Sequence, residues 1–160
     1  MYPSSQPMPQ HATGDSAHHF TTPSEWSTGL FDCDNDYYNC CLTCWCPCIT
    51  FGQIAEVVDK GTTSCIAHGA IYSLLCLFTG GCQCIYACMQ RSKLRQQYML
   101  PEQPCNDCLT HCFCEMCAIC QEYRELQYRG LDPSLGWDGN ISRQNQGVVM
   151  PPINPGEMKR

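Results

Sequence analysis

The sequence predicts an all-α membrane protein: two transmembrane helices per protomer, a Cys-rich amphipathic cytoplasmic helix, and disordered termini. Three observations carry that prediction. No charged residue falls between Lys60 and Arg91, although polar tails hold the mean hydropathy of the chain at −0.27. Arg91, Lys93 and Arg95 follow that stretch directly, and positive flanks stay in the cytoplasm. Cysteine supplies 17 of the 160 residues, above the level that flags a disulfide scaffold.

Length allows one modest domain, here residues 26–130 between tails 1–25 and 131–160. The first tail is rich in Pro, Ser, Thr, Gln and His and has little to bury; its His11, His18 and His19 read as solvated. Met1 to Leu30 holds no Lys or Arg and no apolar run, so no secretory signal is expected. Most of the cysteines are then expected in a reducing compartment, where clustered thiols favour metal over disulfide. A net charge of −6 argues against nucleic acid, which requires a basic face.

From Trp26 to Asn39 the composition turns to aromatic and acidic residues. Asp32 and Asp34 flank Cys33, an oxygen-and-sulfur mixture suited to a divalent cation, or else part of a polar loop anchored at the membrane interface by Tyr and Trp. The first span is placed at about 46–59, because Pro47 suits a first helical turn. Helical spacing there lines up Cys48, Gly52, Ala55 and Asp59 in a small, polar stripe. The second span, about 65–89, is uncharged and exceeds the ~20 residues a bilayer demands; Gly80-Gly81 kinks or ends its continuous part. A third helix, about 105–128, places Leu109, Phe113, Met116, Cys120 and Tyr123 on one face and Asp107, His111, Glu115 and Glu122 on others. It is too charged to cross and is expected under the membrane. Pro151-Pro152 and Pro155 mark a disordered end. Both termini are then cytoplasmic, and most cysteines from three stretches converge on that side.

Cys41-x-x-Cys44, Cys105-x-x-Cys108, Cys114-x-x-Cys117 and Cys117-x-x-Cys120 have zinc-knuckle spacing, and thiolates select soft ions such as Zn²⁺ and Cd²⁺. The candidate metal ligands are Cys40, Cys41, Cys44, Cys46, Cys48, Cys105, Cys108, Cys112, Cys114, Cys117 and Cys120, with no quartet singled out. Lipidation competes at Cys40, Cys41 and Cys88, and Cys76 reads as a small hydrophobe. An acid in a span costs about 2.5–3.5 kcal/mol on insertion scales. Glu56 should therefore face a cavity or pair with Lys60 one turn on. Two helices cannot enclose an aqueous path, but a ring of protomers with Cys48, Gly52, Glu56 and Asp59 turned inward could. Ions must leave a pore as readily as they enter, so thiols along the path are expected to hold incomplete shells. No catalytic triad or nucleotide motif appears, and no enzyme activity or cofactor is expected.

Cys40-Cys41 through Cys46-Pro47-Cys48 resembles the signature of the plant cadmium resistance family, within the placenta-specific-eight and cell-number-regulator group. Trp26-Ser27-Thr28-Gly29-Leu30-Phe31-Asp32-Cys33, Ile49 to Glu56, Cys105-Asn106-Asp107-Cys108 and Gln121 to Leu126 agree with it. The similarity runs from about Trp26 to Asn140. It implies a two-span plasma-membrane homo-oligomer that moves Cd²⁺ or Zn²⁺ out of the cell, with Cys46, Pro47 and Cys48 as the functional motif. Cys44 is an extra thiol where the signature is free. Relatives in the group also imply the alternative: a non-transporting, membrane-anchored metal-binding regulator of cell number or organ size. The partners expected are the chain itself, the bilayer and the soft metal.

Overall fold

The computed structural model describes residues 24–32 and 36–147. Among them there is no strand. Six helices run in order as α1 (Tyr37–Trp45), α2 (Pro47–Val58), α3 (Cys65–Thr79), α4 (Gln83–Tyr98), α5 (Asp107–Tyr128) and α6 (Gly136–Asn145), the last preceded by a 3₁₀ turn at Pro133–Leu135. His11, His18, His19, Cys33, Asp34 and the prolines beyond residue 147 lie outside the described residues.

Local chemistry sets most boundaries. Asp36 caps α1 by accepting from the Asn39 amide, Ser64 caps α3 from Ala67, and Asn106 caps α5 from Cys108. Pro47 opens α2 as expected, and the missing amide forces a 112° bend between α1 and α2 at Cys46. Gly80 ends α3 in the left-handed region, at φ 61°, where only glycine is unstrained.

That glycine corrects the expected span at 65–89. It is two helices, and α3 with 15 residues is only about 22 Å long against a hydrocarbon core of about 30 Å. Among the described residues no single helix is long and apolar enough to cross a bilayer. The pair α1–α2 meets the length and composition requirement only as a bent pair.

Helix α2 is the centre of the packing. Phe51, Ile54, Ala55, Val57 and Val58 are buried with Tyr72, Ala87, Leu94, Ile119, Tyr123, Leu126 and Leu131. The Phe51 ring stacks on Tyr72 at 4.8 Å and tilts against Tyr86 at 5.4 Å. Residues 131–147, expected in a disordered tail, instead fold back as the 3₁₀ turn and α6. Asn140 locks them by donating to the carbonyls of Asp132 and Gly136 and accepting from the Asp132 amide.

The third expected helix exists, but it is folded back on itself. Cys114 has non-helical angles, φ −137° and ψ 50°. His111 and Glu122 would stand about 16 Å apart along a straight helix, yet their side chains meet at 2.9 Å. The arm before Cys114 runs antiparallel to α4, pairing Cys88 with Cys108 and Cys84 with Cys112. The arm after it returns parallel, pairing Gln83 with Glu115 and Arg91 with Glu122. This reverses the expected faces in part: Leu109, Phe113 and Met116 point outward and His111 and Glu122 inward, because the bend closes around Arg91.

Candidate functional site

The Cys46-Pro47-Cys48 motif forms the elbow between α1 and α2. Cys46 ends one helix and caps the next, so the motif's thiols leave a point where the chain turns. Cys46 and Cys48 are half-buried there, and Cys41 and Cys44 on α1 are exposed. Cys105, Cys112 and Cys114 are solvent-accessible, whereas Cys120 is buried among core side chains. Among the described residues no three His, Cys, Asp or Glu side chains gather as a metal cluster. Cys40 and Cys117 lie on helices α1 and α5, each with a neighbour it interacts with.

Two thiol pairs do meet. Cys88 and Cys108 form a disulfide with Cα atoms 4.9 Å apart, which corrects the reading of Cys108 as a standing thiolate ligand. One turn away, the sulfurs of Cys84 and Cys112 are 3.2 Å apart. Cys84 and Cys88 were not among the expected ligands. The available signal was i,i+4 spacing in Cys84-x-x-x-Cys88 and Cys108-x-x-x-Cys112, which places each pair on one helix face.

The stripe Cys48–Gly52–Ala55–Asp59 also has a different neighbour from the one expected. It packs on α3 of the same chain. A Cβ on Gly52 would lie 2.3 Å from the Cys65 carbonyl oxygen, and one on Gly69 2.8 Å from that of Cys48. The close approach that small residues permit is thus made within one chain.

Glu56 is held by two backbone amides and not by the expected Lys60. One carboxylate oxygen accepts the Cys65 amide at 2.8 Å and the other the Trp137 amide at 3.0 Å. It therefore sits at the N-termini of α3 and α6, where negative charge is favoured. Asp59 accepts from Lys93 at 2.9 Å and lies 3.1 Å from His68 Nε2; His68 Nδ1 is 2.6 Å from the Tyr86 hydroxyl.

The charged centre of the molecule was not legible as one. Arg91, fully buried, donates to Glu122 at 3.1 Å and to Gln121 at 2.7 Å, and lies 3.4 Å from Asp107. Glu122 is also fully buried and meets His111. The Trp26 ring covers the guanidinium at 4.2 Å. Arg95 pairs with Asp107 at 2.7 Å, and that carboxylate raises its pKa above the ordinary arginine value. Gln121, Arg124 and Glu125 strap residues 27–29 onto α5.

Large apolar side chains are exposed as well, among them Trp45 at 86%, Phe78 at 82% and Phe113 at 80%, with Ile66, Leu74 and Leu77 on α3.

The PLAC8 family model matches residues 26–125. Plant cadmium resistance 2 of Arabidopsis thaliana is 55% identical over 139 residues, 85% of this chain and 91% of the relative. Cell number regulator 10 of Zea mays is 60% identical over 119 residues, 74% and 75% of the two chains. Cell number regulator 7 of the same plant is 58% identical over 131 residues, 79% and 73%. No solved structure matches.

Proposed function

The chain belongs to the PLAC8 family, and from that premise we propose that it is a homo-oligomeric plasma-membrane protein that exports Cd²⁺ or Zn²⁺ without catalysis or a resident cofactor. The observation that carries the reading is the arrangement of donors along α2. Soft thiols of Cys46 and Cys48 occupy the elbow at its start, and Glu56 and Asp59 occupy its end. Cys48 and Asp59 are about 16 Å apart along the helix. An ion captured by incomplete thiolate shells leaves through harder, weaker carboxylate ligands, as conduction requires.

The bilayer partner rests on α3. Ile66, Ile71, Leu74, Leu77 and Phe78 are exposed along it, and lipid is the solvent in which that exposure is stable. A helix shorter than the hydrocarbon core is accommodated by local thinning or by oligomerisation. Arg91, Lys93 and Arg95 direct α4 to the cytoplasmic side, and the hairpin of α2 and α3 meets the membrane through that exposed face of α3. Copies assemble through α3 and the exposed arm of α5, since the small-residue stripe is already occupied.

The names of the maize relatives favour a second reading, a membrane-anchored metal-binding regulator of cell number that transports nothing. Flux of radioactive Cd²⁺ and Zn²⁺ across proteoliposomes separates the two. Export is expected from the wild type and should fall about tenfold or more in Cys46→Ser/Cys48→Ser, since even loss of outer-shell support weakens a metal site on that scale. Stoichiometric binding without flux, in correctly inserted protein, would overturn transport in favour of the regulator.

A further inference from the structure

Outside the elbow, four cysteines form a ladder between α4 and the first arm of α5. The rungs are Cys88–Cys108, closed as a disulfide, and Cys84···Cys112, open with sulfurs 3.2 Å apart. Each helix contributes its two sulfurs at i,i+4, on one face. Cys112 is exposed and Cys84 half-buried, so the open rung is reachable from solvent. Glu115, bonded to Gln83 at 3.4 Å, borders it across the bend.

We propose that reduction of the Cys88–Cys108 bond converts this ladder into a four-thiolate site for one soft divalent ion, with Cys84, Cys88, Cys108 and Cys112 as its ligands. The chemistry needs a dithiol reductant. It delivers two electrons and two protons to the Cys88–Cys108 bond, leaves two thiols, and departs as its own disulfide. The ion then displaces the thiol protons as it binds. Zn–S bonds of about 2.3 Å in a tetrahedron put sulfurs about 3.8 Å apart. The open rung is already inside that distance. Along the helix the two rungs are one turn, about 6 Å, apart, and rotation about χ1 of the freed Cys88 and Cys108 takes up the difference. A cytoplasmic location keeps thiols reduced, so the site would be open where the proposed function places it.

The site deepens the proposed metal handling by giving the ion a holding position apart from the elbow. Its test reads binding and not flux, so the two readings fail separately. Full-length protein in detergent is reduced with a dithiol, freed of reductant under nitrogen, and titrated with Co²⁺, whose visible spectrum reports tetrahedral thiolate ligation. Circular dichroism verifies the fold of each variant. Cys84→Ser/Cys112→Ser and, separately, Cys88→Ala/Cys108→Ala should each bind about one fewer tetrahedral ion than the wild type, whereas Cys46→Ser/Cys48→Ser should retain that ion. Reoxidation with glutathione disulfide should release it. Equal stoichiometry and spectra in the wild type and both ladder variants, or no change on reduction, would overturn the proposal.

Discussion

The two ends of α4 meet the same partner helix through opposite chemistry. At its start, α4 touches the first arm of α5 through sulfur, next to exposed Phe113. Toward its end, it touches both arms through the buried ions of Arg91, Arg95, Asp107 and Glu122, with Trp26 laid over them. The thiol end is apolar and open; the ionic end is polar and closed. The closed end holds the shape, and the open end is left to interact. A buried ion pair contributes little over an apolar isostere but is expensive to break singly, so the ionic end acts as a specificity device more than a store of stability.

Three substitutions break or sharpen that contrast. The largest effect is expected from Arg91→Leu, which strands Glu122 without its cation. Urea unfolding in detergent should show a loss of about 3–5 kcal/mol. Adding Glu122→Leu should recover much of it, and a double variant no better than the single one would mean that the pair does not act as a unit. Next, Gly52→Ala forces a methyl against the Cys65 carbonyl. It should cost about 1–3 kcal/mol by the same assay as α2 and α3 move apart; an unchanged midpoint would put the close approach of the two helices in question. The smallest effect on stability belongs to Leu77→Ser/Phe78→Ser, about 0.5 kcal/mol or less for exposed positions. Vesicle flotation should nevertheless show weaker membrane retention, because each large apolar side chain contributes about 1.5–3 kcal/mol when buried. Retention equal to wild type would place the lipid contact elsewhere.

What the sequence displays and what it conceals divide along the same line. Pro47 and Gly80-Gly81 act through the backbone of their own residues, so both breaks are visible without a partner. Cys114 is neither Pro nor Gly, and its bend follows from Arg91 drawing Glu122 and His111 together across the fold; such a cause is tertiary. The faces of α5 are therefore not legible from its periodicity alone. The stripe on α2 was legible as a place of close approach, but periodicity cannot tell a neighbour in the same chain from one in another. Glu56 was legible as an acid in need of a partner. The partners are two amides, one of them on a helix in a stretch whose Gly, Pro and Asn content reads as tail.

Cys84, Cys88, Arg91 and Arg95 repeat at intervals of four, three and four, so one stripe of α4 is a zipper whose teeth are sulfur at one end and guanidinium at the other. Its two ends answer to different reagents. A reductant parts the sulfur teeth. Added salt does little to the others, because buried pairs are screened far less than exposed ones. The zipper opens from one end only, and that end is open to solvent at Cys112.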